Sequence, residues 1–405
     1  MSDLAVTYNP FEPGFASNPY PHYQSLREGD PVHHSPLGFW MLFRHDDVLR
    51  FLRDPGLSAE DRRAAPTPMD DLAREVLGDR AERGSLAMLN RDPPDHTRLR
   101  RLVSKAFTPK VIDGLRPRIG QLVDDKLEAI ESAGQVELIG ALAFPLPFEV
   151  ISEMLGMPDG DRDQLREWSG TLVKSLEPLF DIEQLQAIVQ AGDAMREYTA
   201  DVIAWKRRNP ADDLLSALVA AEEQGDALSD EELLEQVMLL YIAGHETTVN
   251  LIGNGTLALL THPDELARLR ADPSRDANAV EELLRYDSPV QMSRRITLVD
   301  VEIDGKVIEP GSFVALGLAS ANRDAAHWGP SADDLDTARE GAGQHVSFGG
   351  GPHYCLGAAL ARLEGQLAIG RLIRRFPSLE LAGEPEWNGR LNLRGLARLP
   401  VSARR

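Results

Sequence analysis

Phe348-Gly-Gly-Gly-Pro-His353-Tyr-Cys355-Leu-Gly357 carries the single cysteine of a 405-residue chain. A helical pattern from Leu356 to Phe376 follows it at once, so the thiol stands at a helix start behind a glycine-rich loop. Free N–H groups and partial positive charge at a helix start favour the thiolate. A thiolate is both a nucleophile and a soft metal ligand. The segment alone leaves three readings open: a metal ligand, a nucleophile with His353 or His345 as base, or a structural thiol buried at a helix start. A phosphate-binding loop fails on detail. There is no Gly-Lys-Ser/Thr ending, and Tyr354 stands where a dinucleotide fingerprint needs its third glycine. Zinc would need further ligands at close spacing, which the sequence does not offer.

Working outward, one cysteine excludes a disulfide framework and any all-cysteine zinc or iron–sulfur site. Acidic residues outnumber basic ones, 64 to 43, for a net charge of -21. That opposes non-specific nucleic-acid binding, so no nucleic-acid partner is expected. The first residues, Met1-Ser-Asp-Leu-Ala-Val-Thr-Tyr-Asn-Pro10, hold no basic and apolar leader. Neither a signal peptide nor a membrane anchor is expected, and a reducing cytoplasm fits. No linker or repeat divides the chain, so a single domain over residues 1–405 is expected, mainly α with a minor β part.

Helical spacing marks Tyr20–Arg27 and Asp46–Arg53, and two strands, at 31–34 and 39–43, flank a Pro36/Gly38 turn. Residues 59–90 read as a long loop with short helices. A helical stretch runs from His96 to about Ser132 with a break at Thr108-Pro109, and Asp95 is placed at its cap. Met157-Pro158-Asp159-Gly160 is a turn. Gln164–Arg208 reads as two helices around Pro178. Ser229-Asp-Glu-Glu232 is a capping box that opens a helix to Thr261, stopped by His262-Pro263. Residues 299–308 form a hairpin with Asp304-Gly305 as its two-residue turn. Strand fragments end near Leu399-Pro400.

Three further stretches hold chemistry. The long helix contains Leu239-Leu240-Tyr-Ile-Ala243-Gly244-His245-Glu246-Thr247-Thr248, apolar on both sides and so expected to be buried. Glycine there costs about 1 kcal/mol relative to alanine, and a buried glutamate costs more unless paired or neutral. An acid beside an alcohol can relay protons. The plain alternative is a helix contact that needs a small residue. Glu282-Leu-Leu-Arg285 alone reads as a surface pair worth about 0.3 kcal/mol. His96 and Arg100 share one face of the helix after Asp95, while Arg98, Arg101 and Lys105 make a second, basic face able to grip an acidic protein.

Taken together, His96…Arg100, Ala243-Gly244-His245-Glu246-Thr247-Thr248, Glu282-Leu-Leu-Arg285 and the Cys355 stretch resemble the cytochrome P-450 family, haem-thiolate monooxygenases in their soluble bacterial form. The resemblance spans nearly the whole chain, including Ala321-Asn-Arg-Asp324 and Arg394-Gly395-Leu…Leu399-Pro400. It implies haem b, iron protoporphyrin IX, held by Cys355 as the proximal thiolate, which favours O–O cleavage. Phe348, Gly349, Gly351 and Gly357 would shape the sulfur's surroundings. His96, Arg100, Arg295 and His353 match the positions that hold the haem propionates. Gly244 would leave room for dioxygen, and Glu246 and Thr247 would deliver protons. Glu282 and Arg285 with Arg339 would form a buried structural triad. Leu335 before Asp336, and Thr297 after the propionate arginine, depart from the family pattern.

The implied reaction inserts one atom of O2 into a hydrophobic small molecule, by hydroxylation or epoxidation. The chain shows no flavin or nicotinamide domain, so a ferredoxin and its reductase are the implied donors, docking at Arg98, Arg101 and Lys105. A monomer is expected. Substrate contacts are expected from Leu86, Met88, Leu89, Leu239, Leu240, Ala243, Val290, Gln291, Met292, Asn392 and Leu393, and from residues 172–188. The rival readings are a peroxide-driven enzyme, an isomerase or dehydratase, and a haem sensor; the Glu246–Thr247 pair argues against them.

Overall fold

The computed structural model describes residues 6–66, 85–158, 162–177, 182–220, 222–223 and 226–404. The middle of the expected 59–90 loop, Asp159-Gly160 of the expected turn, and Pro178 lie outside the described residues. Backbone contacts divide the chain into two compact units, 1–57 with 112–147 and 246–405, and 58–111 with 148–245.

The first unit holds the β structure. Its main sheet orders Val32–His34, Trp40–Leu42, Phe313–Gly317, Met292–Thr297 and Leu57–Ser58. Val32 pairs with Leu42 across the first hairpin, and Gly38 takes the left-handed conformation its turn requires (φ 88°). The sheet joins apolar side chains of the His45–Arg53 helix, Val48, Phe51 and Leu52, in one core with Val314, Leu316 and Val346. The second hairpin pairs Ile303 with Lys306 around Asp304 (φ 52°) and Gly305 (φ 71°), a two-residue turn with both central φ values positive. Helices Pro109–Ala133, Pro263–Ala271, Asp276–Tyr286 and Ala358–Arg375 are among the unit's helical elements. Arg371 donates to Gly120 O (2.7 Å) and Arg375 to Glu131 (2.7 Å), tying the last helix to the first of these.

Thr297, a departure from the family pattern, is harmless: its buried hydroxyl donates to Glu309 O and accepts from Ser312 N–H. One expectation is corrected at Asp95. It is the first residue of the Asp95–Ser104 helix; Pro94 is the N-cap, and it offers no side-chain acceptor. The expected break is present, with a 3-10 turn at Lys105–Phe107.

The second unit is nearly all helix: Asp95–Ser104, Arg162–Leu172, Ile182–Arg208 and Leu214–Val219, with one two-stranded ribbon. Arg196 spans Glu231 (2.6 Å) and Glu235 (2.7 Å), fastening Ile182–Arg208 to the Asp230–Thr261 helix. That helix starts on the expected capping box. Glu232 N–H donates to Ser229 Oγ (3.2 Å), and Ser229 N–H to Glu232 Oε2 (2.9 Å). It runs 32 residues without interruption to Thr261. Among the described residues no helix is long and apolar enough to cross a membrane. The architecture is mainly α with a minor β part, as expected.

Candidate functional site

The cysteine loop is built by backbone bonds that only a glycine-rich sequence permits. Gly349 (φ 71°) and Gly351 (φ 64°) both sit in the left-handed region. Cys355 N–H reaches back to Phe348 O (2.9 Å), closing the loop, and the Ala358–Arg375 helix begins three residues later. Cys355 is exposed, which removes the reading of a thiol buried for structure. A Cβ at Gly357 would meet open space, whereas one at Gly351 would lie 2.6 Å from Leu52 O. Gly351 therefore answers to the close approach of the His45–Arg53 helix.

Behind the loop, Phe348 is held by charge and ring contacts. The Arg362 guanidinium lies 4.5 Å above its ring, and the His345 ring stands 5.5 Å from it. Arg362 grips Glu281 through Nε (2.5 Å) and Nη2 (3.0 Å), and also donates to Tyr354 Oη (3.1 Å). His345 Nδ1 accepts from Ser347 N–H, so its Nε2–H donates to Glu281 (3.0 Å). Burial alone would raise the Glu281 carboxyl, but His345 and Arg362 hold it down at about 2. Burial lowers the His345 pKa. Both ring nitrogens of His345 are thus engaged, which closes its reading as a base for Cys355.

Glu282 and Arg285, a surface pair by spacing alone, are fully buried. The physical reason is the coil that covers them. Arg285 places all five N–H groups: two on Glu282 (2.7 and 2.9 Å) and three on the carbonyls of Asn322, Ala332 and Asp334. Arg339 Nε joins Glu282 at 3.2 Å, and Asp336 N–H donates to it at 2.9 Å. Asn322 then braces the segment entering the loop, accepting from Val346 N–H (2.8 Å) and donating to Ser347 Oγ (2.7 Å). The three residues expected as a triad are brought together.

The Ala243–Thr248 turn differs from the expected fully buried turn. Ala243 is exposed, Gly244, Glu246 and Thr247 are half-buried, and only His245 and Thr248 are buried. His245 packs against Phe148 and Tyr241 and bonds to Tyr241 O (2.9 Å), turning it away from chemistry. A Cβ on Gly244 would press within 3.1 Å of Ile151, which gives this glycine the packing reason weighed against the functional one. Glu246 is ion-paired with Arg390. No sequence signal announces that pair, because 144 residues separate its members.

Other expected residues fall in both units. In the first, Arg295 is buried and bonds Leu52 O (3.0 Å) and Arg294 O (2.7 Å), and His353 is half-buried. Val290 pairs with Leu393, Gln291 N–H donates to Asn392 O (2.9 Å), and Met292 N–H to Asn392 Oδ1 (3.1 Å). These two stretches, far apart in sequence, are thus joined. In the second unit His96 is buried and Arg100 half-buried. Gln236, missed in the sequence, clamps the Leu86–Leu89 stretch to the long helix: it accepts from Met88 N–H (2.9 Å) and donates to Leu86 O (2.9 Å). The available signal was an amide four residues before Leu240 on an apolar face. Leu240 and Met88 are buried, Leu239 and Leu86 half-buried, and Leu89 exposed. Of the basic face, Arg98 turns to Glu232, while Arg101 and Lys105 are exposed.

A family model described as cytochrome P-450 matches residues 68–275 and 277–400. Cytochrome P-450 107B1 of Saccharopolyspora erythraea is 45% identical over 405 residues, covering 96% of each chain. A vitamin D(3) 25-hydroxylase of Pseudonocardia autotrophica is also 45% identical, over 97% of this chain and 95% of that one. Among solved structures, the myxobacterial cytochrome P-450 CYP267B1 in complex with myristic acid superposes with a TM-score of 0.89 at 40% identity, covering 98% and 99% of the two chains.

Proposed function

Since the chain belongs to the cytochrome P-450 family of haem-thiolate monooxygenases, we propose that it inserts one atom of O2 into a hydrophobic small molecule, with electrons from a ferredoxin-type donor. Residues 1–405 are read as one domain of that family, acting as a monomer. The observation that carries the reading is an exposed Cys355 on a closed glycine loop, backed by a fully satisfied buried charge cluster.

The residues suit the cofactor. A lone exposed thiol is the soft donor that haem iron takes, and the open space at Gly357 leaves the approach clear. Haem held there supplies the activation of O2, which thiolate donation favours. Cys355 would be the ligand. Phe348, fixed by Arg362 and His345, would shield the sulfur from water. Arg295, His353, His96 and Arg100 match the family positions that take the propionates, and would serve that role. Glu246 and Thr247 would carry protons, and Arg390 would hold the Glu246 carboxylate until it is needed. The same helix turn supports this assignment by leaving Glu246 and Thr247 half-buried rather than sealed in the core.

Substrate contacts would come from Val290, Met292 and Leu393, and from Leu86, Met88, Leu89, Leu240 and Ala243. A hydrophobic substrate is supported by this apolar set, by a relative named for hydroxylating vitamin D(3), and by a neighbour crystallised with myristic acid. Arg98, Arg101 and Lys105 would dock the electron donor, Arg98 being also paired with Glu232.

The test uses haem-loaded protein with a ferredoxin, its reductase and a panel of apolar ligands scored by Soret shift. Thr247→Ala is expected to keep NAD(P)H consumption while diverting it from product to peroxide. Turnover by peroxide alone, equal in wild type and Thr247→Ala and absent with any ferredoxin, would overturn the proposal.

A further inference from the structure

A cluster that the monooxygenase reading does not use lies where two helices begin. The His45–Arg53 helix opens on His45, whose backbone N–H donates to Asp324 Oδ2 (2.9 Å). The other oxygen of Asp324 caps the Ala325–Trp328 helix through Ala326 N–H (3.1 Å). One carboxylate thus sets two helix starts side by side and brings His327 against His45. The imidazoles stack with centroids 3.5 Å apart and planes 15° from parallel. Asp46 adds Oδ1 at 3.2 Å from His45 Nδ1. One donor atom from each of His45, Asp46 and His327 lies within 4.8 Å of the others.

Two features set this apart from a chance surface grouping. His45 is 2% exposed, yet its Nε2 is buried with no hydrogen-bond partner among the described residues. An imidazole placed this deep, with one nitrogen unused, lacks the bond that a protein normally supplies. The second feature is access: His327 and Asp46 are exposed, so an ion can reach them from solvent while His45 is buried behind them.

We propose that His45, Asp46 and His327 form a binding site for a borderline divalent transition metal of the zinc class. Two imidazoles and one carboxylate suit zinc, nickel or copper and leave a fourth position for water. Stacked rings cannot both aim in-plane lone pairs at one ion. His327, on a four-residue helix, is the ring that turns, and the ion takes the space it vacates against His45. Asp324 is spent on backbone N–H groups and acts as the brace.

The experiment titrates zinc into the haem-loaded protein at pH 7.5 against a chromophoric chelator, with thermal unfolding recorded in parallel. Wild type is expected to hold one zinc equivalent and to gain melting temperature with it. Asp46→Asn and His327→Ala, both at exposed positions, are expected to fold normally, to lose at least tenfold in affinity and to lose the thermal gain. Zinc binding and thermal gain that are absent from wild type, or that are the same in His327→Ala, would overturn the site. Neither readout depends on monooxygenase turnover.

Discussion

Replacing Glu282 with alanine tests a charge cluster whose central pair is fully buried. Glu282 is fully buried and accepts from Arg285 Nε and Nη2, Arg339 Nε and Asp336 N–H. Its removal strands a guanidinium that is itself 0% exposed, along with a second at 8%. Losing one partner of a buried pair typically costs about 3–5 kcal/mol, because the remaining charge keeps its desolvation penalty. Against a typical total stability of about 5–15 kcal/mol, that is roughly a fifth or more. Arg285→Met should be at least as damaging, since it takes the guanidinium donor from the carbonyls of Asn322 and Ala332 and two of the four donors from Glu282. The double change should cost less than the sum of the two, as expected for contacting partners. Urea unfolding of haem-loaded protein, followed by far-UV ellipticity and by the Soret band, measures all three. A loss below about 1 kcal/mol for Glu282→Ala would show that water or backbone movement re-solvates the arginines, and the cluster would then not be the fixed support described.

Further outcomes follow from the same geometry. The folded Glu281 carboxyl sits at about 2 against an ordinary value of 4.5, so its contribution is present above pH 4.5 and lost as pH falls from there towards 2; Glu281→Gln should flatten the acid limb of the stability curve, read from acid-unfolding midpoints. Glu364 runs the other way. It is 0% exposed, neither carboxyl oxygen has a partner among the described residues, and burial raises its pKa well above 4.5. Its stability is therefore full below pH 4.5 and lost as pH rises, so the melting temperature of Glu364→Gln relative to wild type should be higher at pH 8 than at pH 5. Gly351→Ala forces a side chain into φ 64° and against Leu52 O, a strain on the order of 1–3 kcal/mol, and should lower haem retention through a distorted cysteine loop; full haem content and an unchanged melting temperature would contradict this.

What could be read from the sequence was local. Asp304-Gly305, Ser229…Glu232 and His262-Pro263 each carry their own turn or cap chemistry within four residues, and each element lies where that chemistry put it. Asp95 misled because Pro94 took the cap position before it. Burial of Glu282 and Arg285 could not be read from i,i+3 spacing, since it depends on a coil about 37 to 54 residues further on. The same holds for Arg390 and Glu246, and for Gln236, whose partners are backbone atoms of a distant loop. Glycine was the least transparent residue. Gly351 and Gly244 also meet Leu52 O and Ile151, packing partners that no local motif announces.

Arg285 also constrains how such a chain can change over generations. Three of its five N–H groups read backbone carbonyls, at Asn322, Ala332 and Asp334, and a carbonyl looks the same whatever side chain stands beside it. Ala332 is held by its burial, whereas the exposed Asp334 is therefore free to drift in identity so long as its backbone path is kept. Glu282 and Arg285 are not, because any lineage leaving that pair one substitution at a time must cross an intermediate weakened by several kcal/mol. Variation should thus fall at Asp334 and stall at the two charges beneath it, a historical asymmetry written by which atoms, side-chain or main-chain, a single guanidinium holds.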